Sequence, residues 1–267
     1  TELEVDWTTE LDRALGRDDV DVVMVMTPSG LHAKLGVQVA EAGKHVITTK
    51  PMDVSTEACD QLIAAAEKAG VLCGVDYQSR YVDNNYRVAE ALKQGWLGKL
   101  ILGEVRFKWF RPQEYFEHGN GWRGTWAMDG GGSLANQGAH LLDLSRWLLG
   151  DFESALAHTQ TAFWDMPVED NAFVLLRTAA GQVASLHVSW TQWRNLFSLE
   201  VFGRDGYAIA EGLGGVVRAG AAHHRQTPAR RGCARGGESG FRSAGWLVGP
   251  GMGCLHRSSG RRGQPRC

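Results

Sequence analysis

Val20-Asp21-Val22-Val23-Met24-Val25-Met26 runs directly into Thr27-Pro28-Ser29-Gly30. The run is β-branched and apolar almost throughout, which predicts a strand buried on both faces of a parallel sheet rather than an alternating surface strand. Thr27-Pro28 then breaks it, because proline has no N–H to give a ladder. Downstream, a helix is expected over 31–42, stopped by Gly43, then a short strand over 45–48. A helix over 55–68 follows, with Asp53 or Ser55 near its cap and Gly70 near its end, then a strand over 71–75 and a helix over 84–94. Upstream, residues 8–15 read as a short helix capped by Thr8 or Thr9. Strands and helices alternating at this spacing predict a wound parallel α/β layer.

After Gly98 the texture changes. Residues 100–110 alternate, with Val105, Phe107 and Trp109 on one face and Arg106 and Lys108 on the other, as in a half-solvated strand. Residues 114–128 read as an aromatic-rich loop leading into Asp129-Gly130-Gly131-Gly132-Ser133, and 134–149 as one helix. Strands are expected over 154–163, 171–178, 183–190, 197–202 and 207–210. The fold class is therefore α/β: an incomplete Rossmann-like parallel domain over 1–80, then an α+β domain with a large, open, mostly antiparallel sheet over 81–213.

The chain of 267 residues has a formal net charge of -2, which argues against nucleic acid or an anionic membrane as a partner. That average conceals a split. Residues 214–267 hold ten Arg and one Glu, a net of +9, which leaves -11 for residues 1–213. This Arg/Gly-rich tail shows no helical or strand period and is expected to be disordered or a frame-shifted reading. Apolar runs fall short of the 18 residues a membrane span needs, and the start carries no leader, so a cytoplasmic setting is expected. The five cysteines follow no disulfide or metal pattern.

Four stretches can carry chemistry. Thr27-Pro28 closes a strand at the carboxyl edge where doubly wound sheets bind ligands, and His32 lies just beyond it. Thr48-Thr49-Lys50-Pro51 brings a lysine to the same edge, where it can hydrogen-bond a substrate oxygen or relay a proton. In Asn136-Gln137-Gly138-Ala139-His140-Leu141-Leu142-Asp143, helical spacing puts Asn136, His140 and Asp143 on one face. His140 suits proton transfer, and Asp143 is a candidate to orient its ring. One His and one Asp make a poor metal site. Trp122 and Arg123 in the aromatic loop suit a lid over a sugar or an anionic group.

Taken in order, the stretches 20–52, 78–81 and 122–150 resemble the Gfo/Idh/MocA oxidoreductases, a likeness covering roughly residues 1–210. The resemblance implies hydride transfer between NAD or NADP and a sugar, sugar derivative or cyclitol. It implies that Lys50 is the lysine of the family's Glu-Lys-Pro motif, with Thr49 in place of the Glu. It also implies that Asn136 and His140 stand at the family's Asp and His, so Lys50 and His140 carry the proton handling. Thr27, Pro28, His32, Thr49, Lys50 and Gln78 are the implied cofactor wall. Lys50, Trp122, Arg123, Asn136 and His140 are the implied substrate wall, and self-association through the second sheet is expected.

One family feature is not found: no Gly-x-Gly-x-x-Gly precedes the first helix, and the chain is expected to start after the two early strands that flank that turn. Two other readings compete. One is a non-catalytic sugar-binding or regulatory domain that has lost its cofactor; the other is a nucleic-acid binder acting through the basic tail.

Overall fold

The computed structural model describes residues 5–212 and the backbone of one later strand, Val217–Ala221. The remainder of the Arg/Gly-rich segment lies outside the described residues. That later strand falls beyond the boundary expected at residue 213 and pairs antiparallel with the strand before it.

The first layer comprises α1 Leu11–Leu15, β1 Val22–Val25, α2 His32–Glu41, β2 His45–Thr49, α3 Thr56–Ala69 and β3 Cys73–Asp76. Its strands are parallel in the order β1-β2-β3. Val25 and Val46 from the sheet pack on Val39, Ala40, Leu62 and Ala66 from the helices. Gly36 marks the closest approach of α2 to α3, since a Cβ there would lie 2.8 Å from Leu62 Cδ1. Ser55 caps α3, its hydroxyl accepting the Ala58 N–H at 3.2 Å. Asp53 serves α2 instead, accepting the Ala33 N–H at 2.7 Å.

Two expectations change here. β1 is buried on one face only: Met24 is 44% exposed, because the helices cover the face that carries Val25 and Val46 and β1 is an edge of the described sheet. The first helix starts at Leu11 rather than Thr8, whose hydroxyl accepts the Glu10 N–H in a turn ahead of it.

The second layer comprises α4 Asp83–Lys93, β4 Leu100–Phe110, α5 Gln113–Gly121, α6 Ser133–Asn136, α7 Gly138–Leu149, β5 Phe152–Gln160, β6 Asn171–Thr178, β7 Val183–Ser189, β8 Thr191–Gly203, β9 Gly206–Glu211 and β10 Val217–Ala221. Its seven-stranded sheet runs β10-β9-β8-β4-β7-β6-β5, antiparallel except for β4 beside β7. Val88, Leu141, Leu144 and Leu148 from α4 and α7 pack on Val105, Phe107, Leu186 and Leu199 of the sheet. Apolar side chains elsewhere on the sheet, including Leu156, Phe173 and Leu175, are exposed.

The aromatic stretch is partly helical, as α5, and breaks where Gly119 and Asn120 take positive φ. The expected helix over 134–149 is two pieces, α6 and α7, joined at Gln137. Glu169 anchors α6, its carboxylate accepting the Gly132 and Leu134 N–H groups at 3.0 and 2.7 Å. Only glycine fits at 132, where a Cβ would lie 1.8 Å from the Glu169 carbonyl oxygen.

Candidate active site

Lys50 leaves the carboxyl end of β2 and crosses to the second domain, and its peptide bond to Pro51 is cis. Its Nζ donates to Asn136 twice, to the side-chain Oδ1 and to the main-chain oxygen, each at 2.9 Å. The interrupted helix makes the second bond possible. In a continuous helix the His140 N–H would take the Asn136 carbonyl; here it takes the Gln137 carbonyl at 3.1 Å. Asn136 then donates from Nδ2 to Asp129 Oδ1 at 3.1 Å, and Asp129 Oδ2 accepts the Gly124 N–H at 2.9 Å.

The electrostatics follow from this burial. Desolvation lowers the Lys50 pKa to about 8; the Asp129 charge opposes that and the Arg111 cation adds to it. Asp129 is 1% exposed. Burial raises its pKa, against the Gly124 N–H, the Lys50 charge and the Asn136 amide, which all favour the carboxylate. His140 is held at about 3, first by burial and then by Lys50, so its ring is neutral at ordinary pH. Its Nδ1 is buried without a partner among the described residues, and the rings of Tyr77 and Phe107 lie 6.5 and 6.4 Å away.

Asp143 does not orient that ring. Arg80 claims it in a two-point ion pair, at 2.7 Å from Nε and 2.5 Å from a terminal nitrogen. Arg80, Asp143, Tyr77 and Ala139 line a groove of about 560 Å³ that neither Lys50 nor His140 lines.

At the cofactor wall, His32 is 1% exposed, and both ring nitrogens meet backbone carbonyls at 2.8 Å: Nδ1 that of Pro51 and Nε2 that of Thr27. Thr49 Oγ1 lies 3.3 Å from the same Nε2. His32 therefore reaches the crevice only through the two turns it bridges. The turn after β1 also meets the second domain, Gly30 N–H donating to the Met128 carbonyl at 2.9 Å. Gln78 opens a 3-10 turn, Gln78–Tyr81, directly after β3. Thr27, Pro28, Lys50 and Gln78 thus all follow the carboxyl ends of parallel strands, as a dinucleotide crevice requires.

Trp122 and Arg123 follow α5, with the Arg123 guanidinium 4.6 Å from the Trp122 ring centre. Sequence reasoning overlooked Asp129 and Arg111. The first read as the start of a flexible glycine run, although a carboxylate set among apolar and aromatic residues is itself a signal.

Residues 1–77 match the NAD-binding Rossmann domain of the oxidoreductase family, and residues 86–209 match the GFO/IDH/MocA C-terminal domain. The chain belongs to the Gfo/Idh/MocA family. Among Gfo/Idh/MocA-like proteins, 1,5-anhydro-D-fructose reductase of Ensifer adhaerens is 28% identical over 208 residues, 77% of this chain and 61% of that protein. Levoglucosan dehydrogenase of Pseudarthrobacter phenanthrenivorans is 26% identical over 179 residues, 66% of this chain and 44% of that one. The WlbA dehydrogenase from Bordetella pertussis, solved with NADH and UDP-GlcNAcA, is 31% identical, with a TM-score of 0.75 over 83% of this chain and 64% of that chain. The chain thus spans about three fifths of the length of the relatives it matches along most of its own.

Proposed function

We propose that the Lys50 site belongs to an oxidoreductase that moves hydride between NAD or NADP and a hydroxyl or keto carbon of a sugar, sugar derivative or cyclitol. The observation carrying this reading is a buried lysine, brought to about 8, fixed by Asn136 at the carboxyl edge of a parallel sheet. Membership of the Gfo/Idh/MocA family and the sugar substrates named for its relatives support it. They favour it over a non-catalytic sugar-binding domain. An ammonium group so far desolvated destabilises a fold, and reaction chemistry gives it a purpose.

Thr27, Pro28, Thr49, Lys50 and Gln78 are the residues to line the nicotinamide half of the crevice, with His32 holding the Thr27 and Pro51 turns in place. When bound, the nicotinamide supplies the hydride exchange; the chain's side chains do the rest. Two of the three Lys50 protons go to Asn136, which leaves the third for the substrate oxygen. With Lys50 at about 8 and His140 at about 3, the lysine is the stronger base. Of the two residues expected to share the proton handling, Lys50 is therefore assigned the transfer. Lys50 gives its proton to the keto oxygen in reduction and takes the hydroxyl proton in oxidation. Neutral His140 holds the same oxygen by a hydrogen bond, and Trp122 and Arg123 wall the substrate.

We divide the chain, as the sequence suggests, into a cofactor domain over 1–80 and a substrate domain from 81, the latter extended past the expected 213 to take in β10. The exposed Leu156, Phe173 and Leu175 support self-association through the open sheet, for which a Leu175→Lys variant and light scattering provide the test. Among the described residues no helix is long and apolar enough to cross a membrane, and Cys59 and Cys73 are free thiols, which supports a cytoplasmic location.

The decisive experiment follows reduction of NAD+ and NADP+ by the full-length protein with a panel of aldoses, anhydro-sugars, uronates and cyclitols. Turnover that vanishes in Lys50→Met supports the reading. No turnover with any pair, or turnover untouched in that variant, overturns it.

A further inference from the structure

Two arginines beside the Lys50 site are held differently from Arg80 and Arg106. Arg80 is paired with Asp143 and Arg106 with Glu200, each directly and through charge-assisted hydrogen bonds. Among the described residues, Arg111 and Arg123 have no carboxylate partner. Instead they are stacked on aromatic faces. The Arg111 guanidinium lies 4.5 Å from the ring centres of both Trp109 and Tyr115, and Arg123 lies 4.9 Å from Tyr115 and 4.6 Å from Trp122. The two guanidiniums thus share the Tyr115 ring, and each also lies over a tryptophan, Trp109 or Trp122.

Stacking holds a guanidinium by its face and leaves its in-plane N–H groups free. Among the described residues Arg111 Nε is buried without a hydrogen-bond partner, and the one hydrogen bond found for the Arg123 side chain is a long 3.5 Å contact to the His118 carbonyl. Leaving such a donor buried and unmet is costly, and more so where the group is charged. A fold bears that cost where a ligand removes it. The position is also specific. The charge of Arg111 is felt at Lys50 and that of Arg123 at Asp129. Asp129 already accepts from Gly124 and Asn136, so it is committed elsewhere.

We propose that Arg111 and Arg123 form a subsite for an anionic substituent, a carboxylate or a phosphate, carried by the sugar whose reacting carbon lies at Lys50. The proposal rests on the reading of Lys50 as the reaction centre and narrows its substrate class from sugars at large to acidic sugars. The aromatic rings give the sugar apolar faces to lie against, while the two planar forks grip the anion in a fixed orientation.

The test uses the tryptophan fluorescence of the full-length protein, to which Trp109 and Trp122 contribute beside the two arginines. D-glucose, D-glucuronate and D-glucose 6-phosphate are titrated in parallel, at low and high salt. We expect at least one anionic sugar to bind tenfold or more tighter than glucose. A preference for glucuronate identifies a carboxylate site, and one for the phosphate ester a phosphate site. The preference should shrink several-fold with added salt in the unmodified protein and disappear in Arg111→Gln and Arg123→Gln. Equal binding of charged and neutral sugars, binding of none, or a preference that survives both substitutions overturns the subsite. NAD+ titration of the same samples separates the two readings: cofactor binding without anion preference sinks the subsite and leaves the oxidoreductase reading standing.

Discussion

Lys50 Nζ sits 2.9 Å from two oxygens of one residue, the side-chain amide and main-chain carbonyl of Asn136. The two residues are 86 positions apart and belong to different domains, so the Lys50 amine is held by the same bonds that join the halves. An amide holds a lysine without adding a charge. A carboxylate there would raise the lysine's pKa; asparagine lets burial lower it to about 8.

The first prediction concerns direction. Lys50 holds its proton below about pH 8 and loses it above. Keto reduction, which consumes that proton, should lose kcat/KM as pH rises through about 8. Alcohol oxidation, which needs the free amine, should gain over the same interval. Profiles that bend the same way in both directions would rule out Lys50 as the proton carrier.

Asp129 tunes this limb. Its charge raises the Lys50 pKa, so Asp129→Asn should bring both pH limbs below about 8, although the single amide oxygen can keep only one of the two bonds, to Gly124 or to Asn136. An upward move, or none, would show that Asp129 acts only through packing.

Lys50→Met should abolish turnover, by about 10²–10⁴-fold, and yet stabilise the protein at neutral pH. The sign follows from linkage. The folded value of about 8 lies below the unfolded 10.5, so the charged lysine is penalised in the fold at every pH below about 8. That penalty is on the order of 3 kcal/mol and fades between pH 8 and 10.5. Stranding the Asn136 oxygens takes back about 1 kcal/mol. Melting curves at pH 7 should show a gain of several degrees that vanishes near pH 10.5, and a lower melting point at pH 7 would contradict the argument.

His140→Ala should cost about 10²-fold in kcat and leave NAD+ affinity within a factor of two or three, if the ring holds the substrate oxygen as proposed and takes no part in the cofactor wall. Parallel loss of cofactor binding in a fluorescence titration would move His140 to that wall.

His32→Ala should lower stability by about 1–3 kcal/mol in denaturant unfolding, since it removes the buried ring that links the Thr27 and Pro51 turns and strands the carbonyl its N–H serves. An unchanged midpoint would mean that water replaces the ring at no loss.

Much of this was legible in the sequence, for definable reasons. β4 and β6 fall at the expected Leu100–Phe110 and Asn171–Thr178, because alternation along a half-exposed strand is an unambiguous period. Lys50, Asn136 and His140 do gather at one place, as motif order and the strand-end rule suggested. What was hidden depends on partners distant in sequence. Asp143 has the right helical spacing to serve His140, and spacing cannot reveal that Arg80 takes it. The break at Gln137 is invisible because the apolar period runs straight through it. The exposed side of β1 is likewise a property of its neighbours, and Val22 and Met24 are as apolar as any buried pair.

The joint between α6 and α7 also bears on how this site can change over generations. Substitutions near residue 138 that favour an unbroken helix would count as improvements in local stability. They would also return the Asn136 carbonyl to its helical partner and leave Lys50 with a single oxygen. Sequence drift toward better helices is thus opposed at the one turn where irregular backbone serves the lysine. Directed-evolution campaigns selecting for thermostability alone should find their inactive winners there.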